Sequence, residues 1–133
     1  MAMRTITLTG RPPVKVDEDQ WPLIASCSDS EYDNQYEFQA NRKSTWHLNV
    51  RRHEDGRAIV YAIYKYTTQF QSERDYTAKR GVLLPVGEND QAICDAIREV
   101  AEDIARAEHY GDDANRWPTL ADNCIADMPA EHI

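Results

Sequence analysis

Residues 44–67, from Ser44 to Thr67, restrict the fold of this chain more than any other stretch. Two β-prone runs flank a turn at His53, Glu54, Asp55 and Gly56. Asp-Gly between alternating apolar residues is a strong short-range hairpin signal. In the first arm Trp46, Leu48 and Val50 face one way, and Thr45, His47, Asn49 and Arg51 the other. The second arm, Ala58 to Tyr66, is apolar on both faces, as in a central strand covered on both sides.

Arg4 to Thr9 alternates with period two and predicts a short strand. Gly10, Arg11, Pro12 and Pro13 then read as an extended connector, since two prolines cannot join a sheet interior. Asp17 or Asp19 can cap a short helix near 19–28, with Trp21, Ile24, Ala25 and Cys27 or Ser28 facing inward. Residues 29–35 read as a polar loop, Tyr36 to Ala40 as a further strand, and Tyr76 to Leu84 as the third strand of a meander. Gly81 marks a bulge in that strand and Pro85 its end. Ile93, Ile97, Val100 and Ile104 form the apolar stripe of a helix over 89–109, capped by Asn89 and stopped by Gly111. A second helix is expected at 118–127.

The expected fold class is α+β, a single domain over 1–133. A twisted antiparallel sheet of three to five strands surrounds the central hairpin 44–67. A long C-terminal helix packs on one face, with short helices near 19–28 and 118–127. The order helix, three-strand meander, helix is that of double-stranded-RNA-binding domains, a likeness of order alone.

Composition narrows the function classes. No apolar run is long enough to cross a bilayer, and the first residues lack the apolar stretch of a secretory signal. A cytoplasmic protein without membrane contact is therefore expected. Cys27, Cys94 and Cys124 are too few and too far apart for a disulfide framework or a Cys-x-x-Cys zinc site. Asp29, Glu31 and Asp33 have the spacing that opens a calcium loop, but Asn34 stands where that loop needs Gly and Ala40 where it needs Glu. The histidines, His47, His53, His109 and His132, have no zinc-binding spacing, and no nucleophile elbow or phosphate-binding glycine loop is present. Nothing selects a catalytic pair such as His47 with Asp95. No enzyme activity, metal or cofactor is expected.

Charge carries the remaining signal. The formal net charge is −8, yet residues 42–80 hold 9 basic and 4 acidic side chains, and residues 81–133 hold 3 and 12. Arg51, Arg52, Arg57, Lys65, Arg74, Lys79 and Arg80 are the candidate contacts for nucleic acid or another partner. Trp46, Tyr61, Tyr64, Tyr66, Phe70 and Tyr76 interleave with them, and cations with exposed aromatics on a sheet can hold phosphates and stack bases. In the plainer reading the aromatics are core and the cations neutralise the acidic helix. Asp95, Glu99, Glu102 and Asp103 form a candidate acidic docking face, or simply a solvated one.

The stretches Thr5–Glu18 and Val50–Tyr61 resemble small bacterial proteins carried by genomic islands, plasmids and phages. That family has no catalytic residue to carry over. The resemblance implies an accessory protein of a mobile element, of the kind that binds and blocks host defence machinery as anti-CRISPR proteins do. The leading expectation is a non-catalytic protein-binding module, with a protein partner. The alternatives are a nucleic-acid-binding domain using the basic hairpin 42–80 and a small enzyme.

Overall fold

The hairpin at 44–67 becomes the middle of a four-stranded meander. The computed structural model of the chain describes residues 2–33, 42–69, 72, 74–107 and 116–129. Strands β1 (Met3–Ile6) and β2 (Val14–Asp17) make a small antiparallel hairpin. Strands β3 (Leu23–Asp33), β4 (Arg42–Arg52), β5 (Ala58–Thr68) and β6 (Tyr76–Leu84) follow in sheet order β3-β4-β5-β6, then helices α1 (Asp90–Ala107) and α2 (Arg116–Ala126). The β4–β5 turn forms where Asp55-Gly56 places it. His53 N–H donates to the Arg57 carbonyl and Gly56 N–H to the His53 carbonyl, both at 2.9 Å. Gly56 has φ +100°, a backbone conformation that disfavours side chains.

Strand period two splits the sheet into two faces. One carries Trp46, Leu48, Val50, Val60, Ala62 and Tyr64 and is covered by the helices. The α1 stripe of Ile93, Ile97, Val100 and Ile104 is buried there, together with Trp117, Leu120 and Cys124 of α2. Helix α1 lies over β5 and β6, and α2 over β3 and β4. Burial, with the neighbouring Cys27, Asp127 and Cys94, pushes the Cys124 thiol up to about 12. Asn89 caps α1 as expected, its Oδ1 accepting from Ala92 N–H at 2.9 Å.

The other face receives the β1–β2 hairpin. Ile6, Leu8, Val16 and Trp21 bury Ile59 and Tyr61 in a second, smaller core. This explains why the second arm is apolar on both sides. The segment after β1 is bound to the β6 edge. Thr9 N–H donates to the Gly81 carbonyl at 2.8 Å, and Gly81 N–H to Thr9 Oγ1 at 3.2 Å.

Two antiparallel sheets and two helices give an α+β fold, and several expectations change in detail. The helix near 19–28 does not form. Asp17 does make a turn, its carbonyl accepting from Gln20 and Trp21 N–H at 3.0 Å, but the chain then extends into β3. Ser26, Ser28 and Ser30 alternate with Ala25, Cys27 and Asp29, and serine, cysteine and aspartate are weak helix formers. The polar loop expected at 29–35 is strand as far as Asp33, so the order shared with double-stranded-RNA-binding domains is lost. Residues 10–13 connect β1 to β2 without strand, and β2 follows at Val14. Gly81 pairs in register with Tyr61, so it is no bulge. It is glycine because Thr7 crosses over it: a Cβ there would lie 2.5 Å from the Thr7 carbonyl oxygen. The strand expected at 36–40 and the stop at Gly111 lie outside the described residues.

The calcium spacing is used otherwise. Arg116 Nη1 donates to Asp29 at 2.6 Å and Nη2 to Glu31 at 2.7 Å, while its guanidinium sits 4.1 Å from the Trp46 ring centroid. The Arg116 bond and the Ser30 N–H hold the Asp29 carboxyl below its ordinary 3.8. Helix α2 is thereby tied to the edge strand β3. Among the described residues no group of His, Cys, Asp and Glu could hold a metal ion, and no helix is long and apolar enough to cross a membrane.

Candidate functional site

The β1–β2 hairpin covers only part of its face. Beyond it the sheet presents three cross-strand rows. Ser30, Thr45, Lys65 and Thr77 form one, and Ser28, His47, Ile63 and Lys79 the next; Tyr32, Lys43 and Thr67 form the third. With strands about 4.8 Å apart, the surface is some 15 Å across between the outer strand axes. Ser28, Ser30, Tyr32, Lys43, Lys65, Thr67, Thr77 and Lys79 are exposed, and no described element lies over them. These rows contain no carboxylate. They hold three of the chain's four lysines, and among the described residues none of the three makes a salt bridge.

The seven basic candidates are thus divided by strand parity. Lys65 and Lys79 lie on the open face. Arg51 shares that face but is only 8% exposed, clamped under the β1–β2 hairpin. Its Nε donates to the Tyr61 hydroxyl and its Nη1 to the Trp21 carbonyl, both at 3.0 Å. Nη2 lies 3.8 Å from Glu18, which also accepts from Arg4 Nε at 2.5 Å. Arg52 and Arg80 project from the helix side, where they meet Asp90 at 3.2 Å and Asp103 at 3.7 Å. Arg57 folds back on Asp55 at 2.8 Å and lies 5.0 Å from the Trp21 ring centroid. Arg74 lies exposed in the β5–β6 connection. The basic hairpin is therefore not one patch.

The acidic candidates divide likewise. Asp95, Glu99 and Glu102 lie exposed on α1, with Asp95 accepting from Gln91 at 2.9 Å. Asp103 is engaged by Arg80, by Arg106 at 3.8 Å and by the Thr9 hydroxyl at 3.3 Å. Arg98 pairs with Asp122 at 2.8 Å. Most of the interleaved aromatics are interior: Trp46, Tyr61, Tyr64 and Tyr66 are buried, while Tyr32, which was not singled out, is 58% exposed. Phe70 lies outside the described residues. His47 and Asp95 cannot form a pair, because the sheet stands between them.

His47 is the one titrating group among the three rows whose pKa is displaced near neutral pH. Burial, followed by the charge of Lys65, lowers it from its ordinary 6.5. Lys79 lies in the same cross-strand row, and Arg4 and Arg51 line the same concavity. No carboxylate faces the ring from these rows. The unfolded chain therefore takes up this proton at a higher pH than the folded protein. His47 should make the unfolding free energy fall as pH drops below 6.5 towards the lowered value, and should add no slope above 6.5. Urea midpoints compared on both sides of this window check it: His47→Gln should flatten this segment of the profile. An unchanged slope would contradict the assignment.

The missed features carry faint sequence signals. Serine at every second position marks β3, and adjacent arginines at 51 and 52 must point to opposite faces of a strand. Compared with known protein families, curated proteins and solved structures, the chain has no significant match.

Proposed function

We propose that the protein is a non-catalytic binding module that works through the uncovered face of its four-stranded sheet. One observation carries this reading. A chain of net charge −8 places three of its four lysines, with hydroxyls and no carboxylate, on one exposed sheet face. Such segregation costs self-repulsion among the cations and is useful when a complementary surface covers them. The partner we propose is a protein with an acidic surface. The resemblance of Thr5–Glu18 and Val50–Tyr61 to mobile-element proteins supports a cytoplasmic setting in which that partner is a host defence complex and binding inhibits it.

Nucleic acid is the competing occupant, because cations on a sheet can track phosphates. The structure gives it less support. Arg51, Arg52, Arg57 and Arg80 are engaged within the molecule, and with Trp46, Tyr61, Tyr64 and Tyr66 buried, Tyr32 is a single exposed ring rather than a stacking platform.

Capture from a bacterial lysate with immobilised variants tests the reading. The triple change Lys43→Glu, Lys65→Glu, Lys79→Glu should remove the captured protein. Glu99→Lys with Glu102→Lys, on α1, should retain it. Retention by the first and loss by the second would move the site to the helices. Nuclease-sensitive capture, with affinity falling steeply as salt rises, would identify nucleic acid instead.

A further inference from the structure

At the seam between β1 and the open face lies a cavity of about 340 Å³, lined by Arg4, His47, Asn49, Arg51, Tyr61 and Lys65 among others. Its chemistry is one-sided. Arg4, Arg51 and Lys65 are pure donors, and Asn49 and His47 can each donate. Among the described residues, the one carboxylate that the lining arginines meet is Glu18, held by Arg4 and approached by Arg51.

Tyr61 sharpens the point. It is 4% exposed, and its hydroxyl oxygen accepts from Arg51 Nε. Among the described residues its own O–H proton has no acceptor. Buried hydroxyl protons in folded proteins are normally satisfied by protein or bound water. The Lys65 ammonium, on the same strand, likewise has no carboxylate partner among the described residues. The side chain of Tyr61, with its buried hydroxyl donor, and that of Lys65, with no carboxylate partner among the described residues, thus both line one concavity whose own lining includes no carboxylate.

We propose that this cavity is an anchor subsite for a carboxylate side chain from an acidic protein segment; this rests on the sheet-face reading above and names the chemistry of its partner. The Tyr61 hydroxyl and the Lys65 ammonium donate to the carboxylate oxygens, and the rest of the segment crosses the face towards Lys43 and Lys79. Charge complementarity selects the occupant. A polynucleotide would bring a dense line of charge against a molecule of net charge −8, and among the described residues of the face Tyr32 alone offers it an exposed aromatic ring of tyrosine, tryptophan or phenylalanine to stack on. An acidic peptide needs only the local cations.

The test uses the full chain, a fluorescein-labelled oligoglutamate and a labelled single-stranded oligonucleotide, read by anisotropy at low salt. Oligoglutamate should bind. Tyr61→Phe and the exposed Lys65→Gln should each weaken it by roughly tenfold, the effect of losing a hydrogen bond to a charged group. A thermal melt shows whether Tyr61→Phe remains folded, and Lys65→Gln carries the test if it does not. Wild-type affinity in both variants, with binding abolished by Lys43→Glu and Lys79→Glu, overturns the cavity and leaves the face standing. Binding of the oligonucleotide but not of oligoglutamate overturns the carboxylate partner. Binding of neither overturns both the subsite and the acidic-partner reading of the face.

Discussion

Arg51→Met should lower the unfolding free energy by about 3 kcal/mol, because it strips partners from groups that stay buried. The Tyr61 hydroxyl loses the Nε donor, the Trp21 carbonyl loses Nη1, and Glu18 is left to Arg4 alone. Methionine replaces the stem but none of the donors. The neighbouring Arg52→Met is the control. Its bond to Asp90 is solvent-screened, with both side chains about a third exposed, so a loss below about 1 kcal/mol is expected. Urea denaturation of the two variants decides it. Equal losses would mean that Arg51 is not the clamp of the β1–β2 hairpin.

Gly81→Ala should cost about 2–3 kcal/mol and loosen the whole N-terminal segment, since overpacking against a fixed backbone cannot be relieved by a rotamer change. The added Cβ meets the Thr7 carbonyl oxygen at 2.5 Å, and the Val60 carbonyl oxygen and Tyr61 Cβ at 3.2 Å. Two of these three are main-chain atoms. The strand beneath is held by its ladder to β5, so Thr7 must move, and with it the bonds of Thr9 to Gly81. Cleavage by trypsin after Arg4 or Lys15 should become faster than in the wild type. Gly10→Ala is the comparison: φ is +73° there but no atom lies within 4 Å, so only the backbone penalty of about 1 kcal/mol applies. A Gly81→Ala variant as stable and as trypsin-resistant as the wild type would contradict the close crossing.

Much of this architecture was legible in the residues. The Asp55-Gly56 turn, the strand from Tyr76 to Leu84 and the stripe from Ile93 to Ile104 each rest on local chemistry that nothing distant overrides. The two-sided apolar pattern of β5 also announced a second cover. What lay outside local reading was the identity of that cover. Ile6, Leu8 and Val16 form too short a pattern to reveal where they dock, and Asp17 with Trp21-Pro22 imitates a helix start. The turn is real, but the pairing of β3 with β4 and the grip of Arg116 on Asp29 and Glu31 favour an extended chain, and those contacts span long stretches of sequence.

The site was legible in the same partial way. Clustering in sequence placed seven cations together; strand parity and the two covers separated them. Lys65 and Lys79 were recognisable candidates that reach the open face. Lys43, His47 and Tyr32 complete that face, and only the register shows them as neighbours. Arg52 and Arg80 fulfil the plainer expectation that the cations neutralise the helix, through Asp90 and Asp103.

Lysine acetylation of the protein, alone and with its captured partner, tests the sheet face most directly. Lys43, Lys65 and Lys79 should lose reactivity together in the complex. Lys15, which pairs with Thr5 on the small hairpin and is exposed, should react as in the free protein. Unchanged reactivity of the three sheet lysines in a complex that is demonstrably formed would show that the partner binds elsewhere.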